Sequence, residues 1–142
     1  MSSLSAAMQA SSSALTAELV RIEAATSNLA NANSTRGPDG TPYRRRDVML
    51  SSAPIGSFDA SLRDAQAVGV RVDSVVEDQA PFRRRYEPAH PDAGTDGYVQ
   101  LPNVDPAEAM VDLLGAARAY QANLAAVGVI REIRQSALDL GR

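Results

Sequence analysis

Histidine chemistry is the first possibility that this sequence raises, because its single histidine, His90, lies close in sequence to Asp92 and Asp96. An imidazole beside a carboxylate can act as a general base, and the chain has many serines that could be its nucleophile. None of these serines has the strand–turn–helix context that activates a nucleophile. We therefore expect His90 to be an exposed loop residue and the protein not to be an enzyme, with a hydrolase that uses His90 as the alternative.

The acidic stretch 92–97 offers a second possibility, because its spacing resembles part of a calcium-binding loop. However, Gly94 occupies one ligand position, and Asn103 stands at the twelfth position, where a bidentate Glu belongs. A turn is the better interpretation. The chain also has no Cys, which excludes disulfides, thiol chemistry and Cys-ligated zinc. The sequence thus predicts no catalytic residue, no cofactor and no metal.

Two arginine triplets, Arg44–Arg46 and Arg83–Arg85, could bind anions. Alternation along a strand would divide each triplet between two faces, so neither forms a concentrated basic patch. They are either solvated strand charges or donors of paired hydrogen bonds to carboxylates between subunits. The formal net charge of −3 argues against nucleic acid as a partner, since phosphate binding needs a basic excess.

The elements that would position these residues include two long predicted helices, one at each end of the chain. A seven-residue apolar repeat keeps one stripe of a helix facing a partner helix over several turns. The N-terminal repeat consists of Met8, Leu15, Ile22 and Leu29; the C-terminal repeat consists of Met110, Ala117 and Leu124, interleaved with Leu113, Tyr120 and Val127. We expect these two seams to pack together, within or between subunits.

The region between the helices is rich in Gly and Pro and contains short alternating segments. These predict strands near 43–50, 68–76, 82–86 and 98–101, whereas 51–67 shows no clear period. Asp105 followed by Pro106 and Glu108 predicts a sharp helix start. The predicted fold is mainly α, a coiled-coil-like pair of helices with a small β-rich insertion. Its parts are an N-terminal assembly helix (1–35), a β-rich or loop outer region (36–104) and a C-terminal assembly helix (105–142).

Composition predicts a marginal monomer. Of the 142 residues 44% are hydrophobic, but only 4% are aromatic, and Ala and Val dominate the apolar fraction. Such small side chains bury little area each, so a dense core is hard to build. No apolar run is long enough to span a bilayer, which predicts no direct membrane insertion, and the first residues do not resemble a cleavable secretory signal. The helices therefore indicate a subunit that is completed by assembly.

Three motifs give a resemblance to a known family. Residues 25–33 contain Asn28-Leu29-Ala-Asn31, which resembles a signature of bacterial flagellar rod and hook proteins, and Arg118-Ala-Tyr120-Gln121-Ala-Asn123 is similar to their C-terminal helix motif. Between them, Pro42-Tyr43 followed by the first arginine triplet, together with the segment 90–99, resembles the proximal-rod branch of that family. The resemblance covers nearly the whole chain except about 51–67.

The resemblance implies a non-enzymatic structural subunit of the flagellar basal-body rod, the torque-transmitting shaft that crosses the periplasm. Its partners would be copies of itself and other rod proteins, and the flagellar type III apparatus would export it without a cleavable signal. Asn28, Asn31, Gln121 and Asn123 are candidates for fixing the register of the helices by hydrogen bonds. The alternatives are another axial subunit of the rod and hook family, or an export adaptor or chaperone that presents a helical groove.

Overall fold

A computed structural model describes residues 2–55 and 67–140 of the chain. The elements in chain order are two terminal helices with four strands between them. They are α1 (Ser2–Ala30), β1 (Arg46–Ile55), β2 (Ala67–Glu77), β3 (Arg83–Tyr86), β4 (Tyr98–Leu101) and α2 (Pro106–Asp139). This order confirms a mainly α chain with a small β insertion, whose strands all lie within the predicted region 36–104.

Helix α1 forms because the first thirty residues contain neither Pro nor Gly and are rich in Ala and Leu. It ends in a turn at which the backbone N–H of Asn31 donates to the carbonyl of Ser27 and that of Ser34 donates to the carbonyl of Asn31. The Asn-rich segment after the helix therefore acts as the predicted stop signal.

The four strands form two separate two-stranded sheets, β1 with β2 and β3 with β4. The pair β3–β4 is antiparallel, with Arg84 opposite Gln100 and Tyr86 opposite Tyr98. Residues 51–55, to which the sequence assigned no period, continue β1, whereas residues 56–66 lie outside the described part of the chain.

Helix α2 begins where the sequence predicts. The side-chain oxygen Oδ1 of Asp105 accepts the N–H of Ala107 at 2.8 Å, and the Asp105 carbonyl accepts the N–H of Ala109 at 2.9 Å. This is N-cap geometry, with Pro106 at the first helical position. The helix then runs for 34 residues, roughly 50 Å at about 1.5 Å per residue.

The chain divides into two compact units. The first contains residues 1–20, 49–74 and 115–142, and the second contains 21–48 and 75–114. The first unit buries mostly small side chains, among them Ala17, Ala116 and Val127. The second unit is built around Ala32, Val104 and Ala109, with Leu29 and Tyr43 packed against them. Each unit therefore contains part of both terminal helices.

Within the first unit α1 meets β2 at a close approach. The backbone N–H of Val70 donates to Oγ of Ser13 at 3.1 Å. A Cβ added at Gly69 would lie 2.7 Å from that same oxygen and 2.9 Å from the side chain of Ile55. Only glycine allows the strand to come so near the helix.

Neither described helix is long and apolar enough to cross a membrane.

Candidate assembly surfaces

The buried face of α2 consists largely of small residues. Ala116 is completely buried, and Ala109 and Val127 are nearly so. Half-buried positions share this face at the heptad spacing expected of a helix that packs along its length. The full set, which we call the inner stripe, is Ala109, Leu113, Ala116, Tyr120, Asn123, Val127 and Ile130. Three of its members, Leu113, Tyr120 and Val127, belong to the predicted C-terminal seam.

The other members of that predicted seam lie on a neighbouring face of α2. Met110 is 52% exposed and Leu124 is 53% exposed. Ala109 and Asn123, which precede them by one position, belong to the inner stripe. Met110 and Leu124 belong to a second heptad stripe that contains no charged residue. This outer stripe consists of Met110, Leu114, Ala117, Gln121, Leu124 and Gly128.

The predicted N-terminal seam is half-buried. Met8, Leu15, Ile22 and Leu29 all have intermediate exposure, and Leu29 packs against the core of the second unit. In the first unit, Leu4 and Met8 share a cavity of about 470 Å³ with Ile130 and Leu138. Parts of α1 and α2 therefore adjoin within each unit.

Asn28 is the most deeply buried polar residue described in α1, at 5% exposure. Its Nδ2 donates to the Arg46 carbonyl at 2.9 Å, and its Oδ1 accepts the Arg46 N–H at 2.8 Å. The hydroxyl of Tyr43 also donates to Oδ1, and it lies 3.0 Å from the hydroxyl of Ser27. Asn28 thus holds the start of β1 much as a neighbouring strand would.

The remaining motif residues have more local partners. Nδ2 of Asn31 donates to the Ser27 carbonyl, and Nδ2 of Asn123 donates to the Ala119 carbonyl, each one helical turn earlier. Pro42 is buried. Of the C-terminal motif, Tyr120 is half-buried, whereas Arg118 and Gln121 are exposed. A role for these residues in the register of an assembly stays a prediction.

Arg45 connects β1 to the first turns of α2. Its guanidinium contacts three carboxylates, with nitrogen–oxygen distances of 2.9 Å to Asp47, 3.0 Å to Glu108 and 3.5 Å to Asp112. The hydrogen bond to Glu108 is the main cause that raises the pKa of Arg45 above its usual value. Its backbone N–H also donates to Oδ1 of Asn103 at 2.8 Å.

The other arginines of the two triplets also have partners within the chain. Arg44 stacks over the Phe82 ring at 4.4 Å, and Nε of Arg83 donates to the Pro102 carbonyl at 3.0 Å. Arg84 contacts Asp96, and Arg85 contacts Glu87. These partners belong to the same chain, and Arg83–Arg85 make their contacts at its surface, whereas the sequence suggested solvated charges or carboxylates of another subunit. The signal that could have revealed this is the set of Asp and Glu residues nearby in sequence.

His90 lies in the loop between β3 and β4, half-buried, and is not the exposed residue that the sequence predicts. Its Nδ1 accepts the backbone N–H of Asp92 at 3.1 Å. The carboxylate of Asp92 accepts the hydroxyl of Thr35 at 2.8 Å, and its other oxygen lies 3.6 Å from Arg36. These contacts hold the loop between β3 and β4 closed. His90, the candidate catalytic base, therefore has hydrogen-bonding partners that stabilise the loop. Within 2–55 and 67–140 no three acidic or histidine side chains converge as metal ligands would.

Comparison with known proteins gives a consistent family. Residues 8–38, most of α1, match the family model described as flagella basal body rod protein. Residues 95–140, which hold β4 and α2, match the model described as flagellar basal body rod FlgEFG protein C-terminal.

Similar proteins match along almost the whole chain. The flagellar basal-body rod protein FlgC of Salmonella typhimurium is 43% identical, over 92% of both chains. The FlgC protein of Bacillus subtilis is 39% identical, over 95% of this chain and 96% of its own. That of Borreliella burgdorferi is 38% identical, over 96% and 97%.

Proposed function

Because this chain belongs to the FlgC family of flagellar basal-body rod proteins, we propose that α2 joins the subunit to its neighbours through the outer stripe. The chain is a structural, non-enzymatic subunit of that rod. The inner stripe of α2 packs within the subunit, and together with α1 it makes a coiled-coil-like pair. The predicted seam residues of α1 and the inner stripe then belong to this pair, whereas Met110 and Leu124 contact another subunit.

The observation that supports this division is the exposure of large apolar side chains on α2. Met110, Leu114 and Leu124 are each about half exposed, although burying such a side chain stabilises a protein by roughly 1.5–3 kcal/mol. Soluble monomers rarely leave a continuous apolar stripe in water. Heptad spacing over 110–128 fits a second helix laid along this stripe.

A non-closing contact between identical subunits generates a helical array instead of a ring, which suits a shaft. We extend the proposal to the division of the chain into assembly helices at 1–35 and 105–142 and an outer region at 36–104. Its partners are copies of itself and other rod proteins in a proximal rod that crosses the periplasm and transmits torque. Export through the flagellar type III apparatus, without a cleavable signal, is part of the same proposal and is supported by the low content of large apolar side chains.

Replacing one residue of the outer stripe tests the proposal. Leu124→Asp places a charge where an apolar contact with another subunit is proposed, and burying an unpaired charge is strongly unfavourable. We expect this variant to be exported normally but to form no rods and no swimming cells, as measured by electron microscopy of basal bodies and by motility in soft agar.

Ala122→Asp is the matched control, because Ala122 is an exposed residue of the same helix and lies outside both stripes. It is expected to keep rods and motility. Normal swimming by the Leu124→Asp strain would contradict the proposed role of the outer stripe.

A further inference from the structure

We propose that an aromatic patch on the β3–β4 sheet binds the exposed surface around Val111 of a second copy of this chain. The aromatic patch consists of Arg84, Tyr86, Tyr98 and Gln100, with Arg36 at its edge. The inference rests on the proposed function, since it adds a second subunit contact to the one made by the outer stripe.

The aromatic patch is one face of an antiparallel pair. Tyr86 is opposite Tyr98, and their ring centroids lie 5.2 Å apart at an interplanar angle of 63°. The guanidinium of Arg84 lies 4.7 Å from the centre of the Tyr98 ring. Even so, Tyr86 is 63% exposed and Tyr98 is 41% exposed. Tyr and Arg are the residue types that contribute most to protein–protein binding when a partner covers them.

The rings are also held in place before any partner arrives. Gly97 has a φ of 74°, and a Cβ built there would lie only 2.8 Å from Cε2 of Tyr86. The ring therefore lies against bare backbone at this position. On the other face of β4, Val99 is fully buried and Leu101 is 6% exposed. An ordered aromatic surface loses little conformational entropy on binding.

A cation at the edge of the patch indicates an acidic partner. The Arg36 side chain is 69% exposed and lies 3.6 Å from Asp92, whose carboxylate already accepts the Thr35 hydroxyl. Arg36 adjoins an open groove of about 400 Å³ that Tyr98 and Gln100 also line. A guanidinium has five N–H donors, so Arg36 can still pair with a carboxylate from outside.

The surface around Val111 has the complementary character. Val111 is 68% exposed, the most exposed Val described in the chain, and Glu108 and Asp112 flank it on α2. Both carboxylates contact the guanidinium of Arg45, but their side chains are 56% and 49% exposed, so each can still accept hydrogen bonds from a guanidinium outside the subunit. An apolar centre with a rim of opposite charge is the usual arrangement of a specific interface.

The two surfaces occur on different elements of the second unit. The aromatic patch lies opposite the buried Val99 face of β4, and Val111 lies on the side of α2 away from buried Ala109. A contact between two unlike surfaces of identical subunits is heterologous and can repeat without closing. Such a contact would extend an array in the same sense as the outer stripe.

Disulfide trapping in assembled rods tests the contact, because the natural chain contains no Cys. In the double variant Tyr86→Cys/Val111→Cys, every subunit has one cysteine on the aromatic patch and one on the surface around Val111, so it can be linked to a neighbour on either side. We expect mild oxidation of purified basal bodies to produce a ladder of covalently linked dimers, trimers and longer multimers on denaturing gels. The pair Val76→Cys/Val111→Cys is the matched control, since Val76 is 41% exposed in the same unit but lies outside the patch. It is expected to give no ladder.

Rods that form without a ladder would overturn this inference while leaving the proposed role of the outer stripe intact. Equal ladders in the control pair, or cross-links only to a different protein, would overturn it as well. If the double variant forms no rods, a pair of charge-reversing substitutions tests the contact instead. Arg36→Glu is expected to reduce swimming at least about tenfold, and adding Asp112→Arg is expected to restore it, because the charge pair is then reversed. Failure of that restoration would equally contradict the contact.

Discussion

Asn28 shows how a single side chain can connect two elements of this protein. Its amide both donates to and accepts from the backbone of Arg46, at 2.9 Å and 2.8 Å. It can do so because a primary amide presents the same donor and acceptor groups as a peptide. The sequence identified Asn28 as a residue of a family motif and predicted a hydrogen-bonding role in the seam. The partner on β1 could not be predicted, since no local pattern reports a contact across 18 positions.

Asn28→Ala removes both hydrogen bonds and leaves the Arg46 N–H and carbonyl without this partner. An unsatisfied buried polar group costs about 1–3 kcal/mol, so we expect the free energy of unfolding to fall by about that amount. Urea denaturation measures this change, and amide hydrogen exchange should show lost protection at Arg46 with protection kept at Val99. The control Asn33→Ala alters an exposed residue and should do neither. An unchanged unfolding midpoint in Asn28→Ala would show that these bonds contribute nothing to stability.

At the scale of elements, the sequence predicts the helices and strands better than it predicts their faces. Caps, glycines and alternation give bounds close to those of α1, β2 and α2 because these signals are local. Of the predicted seam on α2, Leu113, Tyr120 and Val127 lie on the inner stripe, whereas Met110 and Leu124 lie one residue after its members Ala109 and Asn123. That stripe contains Ala109, Ala116 and Asn123, whose small or polar side chains carry little hydrophobic signal. Small residues there allow close packing, which a hydrophobic pattern cannot reveal.

The start of α2 allows a prediction about a whole element. Asp105→Ala removes the side-chain oxygen that accepts the Ala107 N–H, and such a loss costs about 0.5–2 kcal/mol. We expect a lower thermal midpoint and faster amide exchange in the first turn of the helix. Asp105→Ser keeps a good N-cap and should restore most of the stability. If the Ala and Ser variants were equally stable, the cap would not be what fixes this end of the helix.

At the scale of the whole molecule, the described residues bury small side chains and expose large ones. The core contains Ala17, Ala25 and Ala116, whereas Leu114, Val129 and Ile133 are about half exposed on α2. Every residue from 131 to 140 is exposed, although all but the last belong to the helix. A helix end with little packing is marginal in water. The scarcity of aromatic residues likewise predicts a marginal monomer, because it limits how much area the chain can bury alone.

Amide hydrogen exchange along α2, in the purified protein and in intact basal bodies, tests most directly whether assembly completes this subunit. In the purified protein we expect residues 131–139 to exchange rapidly, because all of them are exposed and only an open cavity beside Leu4 and Met8 adjoins this part of the helix. In basal bodies we expect the same amides, together with those around Leu124, to be protected at least about 100-fold more strongly. Equal protection in the two states would mean that the helix is complete in the monomer, and would contradict the proposed assembly through α2.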